Sequence, residues 1–339
     1  MKKPFSARRL LLPLVPLYRL GLALREFKLR AGLEPVRRLR FPVVSIGNLS
    51  TGGSGKTPLT IALAQLLKGK GFHVDVLSRG YGRKSKAAIR VDPKGSAEEF
   101  GDEPLLIARE AGVPVYVAPR RYDAGLLAEA DAVEGGEQGH PPVVHLLDDG
   151  FQHRQLARDL DILLLDRQDW QDGLLPAGNL REPLRAVRRA TVVAIPADDP
   201  ELEAELKSWG WQGPIWRLQR RMENPKVDGP VAAFCGIARP EQFFAGLEAA
   251  GLRLAARTVF PDHHSYSVRD LDRLVAAARA AGATTLVTTE KDLVRLGKLA
   301  SAFPASMPLL SARLRIEIED QDDAIDWMVG KLPQTSAAQ

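Results

Sequence analysis

One cysteine in 339 residues, Cys235, excludes an internal disulfide framework and any metal site built from several thiolates. Its setting, Ala-Ala-Phe-Cys-Gly, reads as a buried strand, so the thiol packs rather than reacts. No uninterrupted apolar run is long enough to span a bilayer; the greasiest, Leu10 to Tyr18, ends at Arg19. No small-x-small cleavage site precedes the first folded segment, which argues against a cleaved signal peptide. An Asn/Thr-Lys-x-Asp guanine motif is also missing, and its nearest approach, Lys226-Val-Asp228, follows Pro225. That disfavours a GTPase. There is no internal repeat.

The net charge of +5 is unevenly placed. Eleven basic and two acidic residues precede Phe41, so that segment carries +9 and the remainder −4. A nucleic-acid reader spreads basic residues over its folded body, so no nucleic-acid partner is expected. The same segment is apolar as well as basic. Pro13 and Pro16 interrupt a regular helix in its first half, although Pro16 suits a first turn. From there Leu17, Leu20, Leu24 and Phe27 share one helical face, with Arg19, Glu26 and Arg30 elsewhere. Residues 1–40 therefore read as an amphipathic segment lying in a membrane interface, its basic residues among anionic head groups. The competing arrangement is a helix packed on the protein's own core.

What is present in strength is Val43-Val-Ser-Ile-Gly-Asn-Leu-Ser-Thr-Gly-Gly-Ser-Gly-Lys-Thr57: a short buried strand, a glycine-rich turn, then Lys-Thr opening a helix over Pro58–Leu67. This is the layout of a phosphate-binding loop. The backbone N–H groups of Gly52, Gly53, Ser54 and Gly55 can converge on an anion where no Cβ intervenes. Lys56 supplies a cation for the outer phosphates and Thr57 a hydroxyl for Mg²⁺. Ser50 stands where the usual pattern has its first glycine.

Around this loop, apolar strands alternate with helices as in a doubly wound, mostly parallel α/β sheet. Strands are expected at Val43–Ile46, Val74–Ser78, Val113–Val117, Val143–Leu147, Ile162–Leu165 and Val192–Ile195, with helices at Pro58–Leu67, Glu103–Glu110 and Ala124–Ala130. A loop is expected over 133–142, and Glu201–Arg221 reads as a charged, tryptophan-bearing region. This places a nucleotide-binding core over 41–223, a linker at 224–230 (Asn-Pro-Lys-Val-Asp-Gly-Pro), a smaller α/β lobe over 231–333 and a frayed tail at 334–339. In that lobe a second alternation of strands and helices is expected: Val231–Phe234, Pro240–Ala249, Leu254–Phe260, Val268–Ala280, Thr285–Thr288 and Leu309–Leu310. Two lobes invite a cleft between them.

The acidic half of a nucleotide site is expected where a later apolar strand ends, at Asp148-Asp149. Either could hold Mg²⁺, directly or through water; a helix-capping role is the plainer alternative. His153 and Arg154 follow at the same edge, and His153 is a candidate for phosphate or substrate contact. Asp102 opens a helix and is read either as an N-cap or as a general base. Asp262-His263-His264 offers that base a partner, though spacing alone cannot join them. Arg79 and Arg83, in Ser-Arg-Gly-Tyr-Gly-Arg, and Arg181, in Leu-Arg-Glu-Pro, are anion clamps on the rim where such sheets bind ligands.

Together, Gly47-Asn-Leu-Ser-Thr-Gly-Gly-Ser-Gly-Lys-Thr-Pro58, Ser78-Arg-Gly-Tyr-Gly-Arg83, Gly101-Asp-Glu-Pro104, Asp148-Asp-Gly-Phe-Gln-His-Arg154, Leu175-Pro-Ala-Gly-Asn-Leu-Arg-Glu-Pro183, Phe260-Pro-Asp-His263 and Thr288-Thr-Glu-Lys-Asp292 resemble the tetraacyldisaccharide 4'-kinases of lipid A biosynthesis. The resemblance runs to at least Leu296 and accounts for Ser50, since that family's loop lacks the first glycine. It implies transfer of the γ-phosphoryl group of ATP, with Mg²⁺, to the 4'-hydroxyl of tetraacyldisaccharide 1-phosphate. By position it implies Asp102 as catalytic base with His263 as partner, Asp148 and Asp149 as the acidic pair, and Lys56, Thr57 and Arg181 at the phosphates. Asn48, Arg79, Arg83 and His153 are expected near the substrate. It also implies work at the cytoplasmic face of the bacterial inner membrane, as a peripheral or monotopic protein. The rival is a partition-type membrane-associated switch ATPase, whose loop Thr51-Gly-Gly-Ser-Gly-Lys-Thr57 would match except that Thr51 replaces the signature lysine.

Overall fold

The computed structural model describes residues 7–134 and 141–333. The tail expected at 334–339, and residues 135–140 of the loop expected over 133–142, lie outside the described residues. In chain order the strands are β1 (Val43–Asn48), β2 (His73–Ser78), β3 (Ile89–Arg90), β4 (Val115–Val117), β5 (Val143–Asp148), β6 (Leu160–Leu164), β7 (Val192–Pro196), β8 (Ile215–Glu223), β9 (Val231–Cys235), β10 (Leu254–Val259), β11 (Thr285–Thr289) and β12 (Leu309–Ile318). They form one sheet in the order β10-β9-β11-β12-β8-β7-β6-β1-β5-β2-β4-β3. Every pairing is parallel except β12 with β8 and β3 with β4.

Central strands of such a sheet are buried on both faces, and all six residues of β1 are inaccessible. Val44 and Ile46 face one core, shared with the helices Lys56–Gly69 and Asp102–Ala111. Val43 faces another, against the helix Arg121–Glu134. The doubly wound reading thus follows from side-chain alternation along buried strands.

Two elements differ from expectation. Glu201–Arg221 contains the helix Pro200–Ser208 and β8. The strand expected at Leu309–Leu310 runs ten residues, to Ile318. Both changes bear on the site, because β12 joins the two sets of strands. Its first half pairs in parallel with β11, Thr289 opposite Ala312, and its second half pairs antiparallel with β8, Arg313 opposite Glu223. The C-terminal edges of the two strand sets therefore face each other across the middle of β12. The helix Gln321–Lys331 then returns to the first core, where Ala324, Ile325 and Met328 pack with Val44 and Leu59.

At the N-terminus a 3₁₀ segment, Ala7–Leu14, contains Pro13, and an α-helix follows over Val15–Arg30 with Pro16 in its first turn. One side packs through Val15, Tyr18 and Leu22 on a core that includes Leu49 and Phe151. Leu17, Leu20, Leu24 and Phe27 are 54–68% exposed. The helix is docked on the protein's own core, and its apolar stripe is turned outward.

Candidate active site

Between the facing edges lies a cavity of about 960 Å³. The phosphate loop forms one wall. Gly52, Gly53 and Gly55 have φ of 96°, 37° and 94°, the left-handed region that glycine enters without strain. From the other set of strands, the segment after β9 sits against the loop. A Cβ on Gly52 would lie 2.6 Å from Ala238 Cβ, and one on Gly53 would lie 2.7 Å from Arg239 Cγ. The helix from Lys56 starts without a capping side chain, so its first N–H groups are left for an anion. Ser54 and Thr57 are buried in this wall.

The cations around the loop are held by named acceptors. Lys56 Nζ donates to Asn48 Oδ1 at 2.9 Å and lies 3.6 Å from Asp149 Oδ1. Arg181 grips Asp149 with both terminal nitrogens, at 2.8 and 2.9 Å, and reaches Asn48 Oδ1 at 2.6 Å. Asn48 is fully buried and acts as a bracket for the two cations. Burial would raise the Asp149 carboxyl, but Lys56 and Arg181 outweigh it and hold it well below the usual carboxylate range. Asp148 goes the other way: burial, then the nearby Glu103 and Asp149, push it up. Its oxygens receive only long contacts, 3.4 Å from Thr60 Oγ1 and from Ser78 Oγ.

The facing wall brings together residues far apart in sequence. His263 Nδ1 lies 3.1 Å from Asp102 Oδ2, and Arg295 reaches the same oxygen at 2.6 and 2.7 Å. Burial alone would raise Asp102; His263, Arg295 and Lys291 instead keep it far below the ordinary value. The hydrogen bond to Asp102 raises His263 above an ordinary imidazole. Since carboxylate is the stronger acceptor, Nδ1 carries the proton and Nε2 is left able to accept one. The Tyr81 ring stands 5.4 Å from that of His263.

Of the remaining expected residues, Arg79 and His153 line the cavity. Burial, then Arg121, pulls His153 down to about 4, so it is neutral near pH 7. Arg83 does not join them; its guanidinium donates to the Ala87 carbonyl at 2.7 Å and lies off the cavity wall.

A family model described as LpxK, tetraacyldisaccharide-1-P 4'-kinase, matches residues 7–332. The chain belongs to this kinase family. A tetraacyldisaccharide 4'-kinase of Koribacter versatilis is 42% identical over 328 residues, covering 94% of this chain and 97% of the relative. One of Rhodopseudomonas palustris is 39% identical, covering 94% and 91%. The crystal structure of "apo" form LpxK from Aquifex aeolicus in complex with ATP superposes with a TM-score of 0.72 at 33% identity, over 96% of this chain and 99% of that one.

Within the family frame, several lining residues escaped the sequence reading. Arg121 opens the helix after β4. Arg220, on β8, donates to the Ser54 carbonyl at 2.8 Å. Arg239 spans the loop to Asp166 and Asp169. Lys291 pairs with Glu103. Lys291 lies in the Thr288–Asp292 motif but was given no role there; for the others the only sequence signal was position after, or on, a strand. Mg²⁺ is the metal that a kinase of this fold implies, and the donors fit it. Thr57, Asp148 and Asp149 share one wall, and each Asp148 oxygen accepts only a long hydrogen bond where negative charge accumulates. Among the described residues no three His, Cys, Asp or Glu side chains are placed to hold a metal by themselves.

Proposed function

We propose that this chain transfers the γ-phosphoryl group of ATP to the 4'-hydroxyl of tetraacyldisaccharide 1-phosphate. One observation carries the reading: the phosphate loop and the Asp102–His263 pair face each other across a single cavity. A nucleotide switch needs the loop but has no use for a proton acceptor opposite it.

In this reading the loop amides, Lys56 and the helix start hold the triphosphate. Mg²⁺, when bound by Thr57 and the Asp148–Asp149 pair, neutralises phosphate charge. The acceptor hydroxyl loses its proton to His263 Nε2 as its oxygen attacks the γ-phosphorus, and ADP leaves with the electrons of the broken P–O bond. Asp102 orients the ring and stabilises the imidazolium. This exchanges the roles expected from sequence, where Asp102 was the base. A carboxylate held so acidic by His263 and Arg295 is a poor proton acceptor, whereas an imidazole raised by its partner is a good one. Arg181 and Lys56 stand where charge moves toward the leaving group.

The outward stripe Leu17, Leu20, Leu24 and Phe27, beside basic residues, is assigned to an anionic membrane surface, the cytoplasmic face of the inner membrane. Among the described residues no helix is long and apolar enough to cross a membrane. The lobes over 41–223 and 231–333 with a linker at 224–230 belong to the same proposal, with β12 and the final helix shared between them. The test is phosphate transfer from γ-labelled ATP to purified tetraacyldisaccharide 1-phosphate with Mg²⁺, native chain against Lys56→Ala. Product made by the native chain and lost by about 10²–10³-fold or more in the variant is expected. ATP hydrolysis without lipid phosphorylation would overturn the reading.

A further inference from the structure

Arg295 lies on the helix Glu290–Leu296, and its side chain is 6% exposed. Both prongs of its guanidinium fork are engaged. Nε donates to Asp102 Oδ2 at 2.7 Å, and Nη2 lies 2.6 Å from the same oxygen. Nη1 donates to Asp292 Oδ1 at 3.1 Å and to the Gly236 carbonyl. Asp292 is fully buried and is itself pinned. It accepts from the Tyr266 hydroxyl at 2.9 Å, the Thr289 hydroxyl at 2.6 Å and the Gly236 N–H at 3.1 Å. A planar fork held between two carboxylates and a carbonyl has one orientation.

The Asp102 oxygen that Arg295 grips is the one His263 Nδ1 meets at 3.1 Å. Arg295 Nη2 and His263 Nδ1 stand 3.3 Å apart, two donors converging on one acceptor. Asp102 and Asp262 face the imidazole and favour its protonation, while Arg295 opposes it. The Tyr81 ring covers another side. Two carboxylates alone would load the imidazole with a proton over the range where a base has to be empty, and the neighbouring guanidinium restrains them. Asp102 and His263 also come from the two different strand sets, so something has to fix their relative position. Arg295 reaches across to Asp102 while holding Gly236, which leads into the segment seated against the phosphate loop.

We propose that Arg295, anchored by Asp292, is a positioning residue for the phosphoryl transfer. It fixes Asp102 Oδ2 as the acceptor for His263 Nδ1–H, so that Nε2 is presented to the cavity, and its charge keeps the imidazole empty until the acceptor hydroxyl gives up its proton. The inference rests on the kinase reading for the role of His263 as base. Two measurements on the full chain in detergent micelles test it, comparing Arg295→Gln and Arg295→Lys with the native chain. The first is an NMR titration of histidine-labelled protein, with the His263 resonance assigned by its loss in His263→Gln. It uses no turnover, so its failure is separate from failure of the kinase assignment. The second is initial-rate transfer from labelled ATP to the lipid acceptor.

In Arg295→Gln the imidazole should take up its proton at a higher pH than in the native chain, the opposite direction to Asp102→Asn. In Arg295→Lys, which keeps the charge, it should titrate close to the native pH. The kcat of Arg295→Gln should fall roughly 10–10²-fold, the scale of a misplaced catalytic group. Its KM for ATP should hold, because Asp292 still grips the Gly236 N–H beside the loop segment. Arg295→Lys should recover part of the lost rate. An imidazole titration unmoved or lowered in Arg295→Gln overturns the proposal, and so does a loss carried by the KM for ATP alone. Equal losses of rate and melting temperature in both variants, with the titration unmoved, would make Arg295 a structural arginine only.

Discussion

Replacing Asp102 by Asn separates the two possible bases. The substitution keeps the shape and removes the charge that His263 and Arg295 share through Oδ2. Removing one partner of a buried ion pair costs about 3–5 kcal/mol when the other is left alone. Arg295 is not left alone: Nη1 keeps Asp292 Oδ1 at 3.1 Å and the Gly236 carbonyl. The stability loss should therefore be nearer 1–3 kcal/mol, about the cost of one charged hydrogen bond. Catalysis should suffer more, by roughly 10²–10⁴-fold in kcat, or about 2.7–5.4 kcal/mol.

The pH profile carries the discrimination. Asp102 raises His263, so the neutral imidazole appears only as pH climbs through an acid limb above the ordinary value of about 6.5. In Asp102→Asn that limb moves down toward the ordinary value. The native-to-variant ratio of kcat/KM should then be larger at about pH 8.5 than at about pH 6, where the native base is more fully protonated. The assay is initial-rate transfer to the lipid acceptor in micelles at saturating ATP. A limb that stays in place or moves up in the variant refutes this account. So does a native limb in the carboxylate range.

Two further perturbations test other parts of the structure. A Cβ at Gly47 would sit 2.6 Å from Phe151 Cβ and 2.8 Å from its backbone nitrogen. Gly47→Ala should cost about 1–3 kcal/mol in denaturant unfolding and lower kcat by shifting the Asp149 turn, and an unchanged midpoint would contradict the packing. Leu17→Glu/Leu20→Glu/Leu24→Glu should reduce sedimentation with anionic vesicles by at least about 10²-fold, since each buried leucine is worth about 1.5–3 kcal/mol. Its melting temperature should hold, as those side chains are exposed; undiminished vesicle binding would remove the membrane assignment.

Legibility in the sequence tracked how local the determining physics was. The helices Pro240–Ala249 and Val268–Ala280 appear at their expected bounds, because Pro240 in the first turn and the Ser267–Asp270 capping box mark their starts. β8 was read only as part of a charged, tryptophan-bearing region because Arg217, Gln219 and Arg221 alternate with the buried Trp216 and Leu218; its pairing with β7 and β12 makes it a strand. The same alternation hid the second half of β12. In the site, the glycine loop and the paired aspartates were legible because their chemistry is contiguous. Arg295 was not, since it meets Asp102 across 193 positions. Nor was Arg121, since nothing local distinguishes it from Arg120; which of the two turns inward is decided by packing. Arg83 erred in the opposite sense, for a strand-end arginine can fold back on its own turn.

The path of β12 has a consequence for how the chain is made. The core beneath the phosphate loop contains Ile316, Ile318, Ala324, Ile325 and Met328, which are synthesised after every other strand of that half. At about 5–20 residues per second, the nucleotide-binding half waits about 5–20 seconds on the ribosome with that surface uncovered. Its strands cannot reach full stability as an independent nascent unit. Sheltering of this half during translation, followed by abrupt completion once the helix Gln321–Lys331 has emerged, is the expected biogenesis. A chain shortened before residue 309 should be cleared by proteases although every residue of its phosphate loop is present.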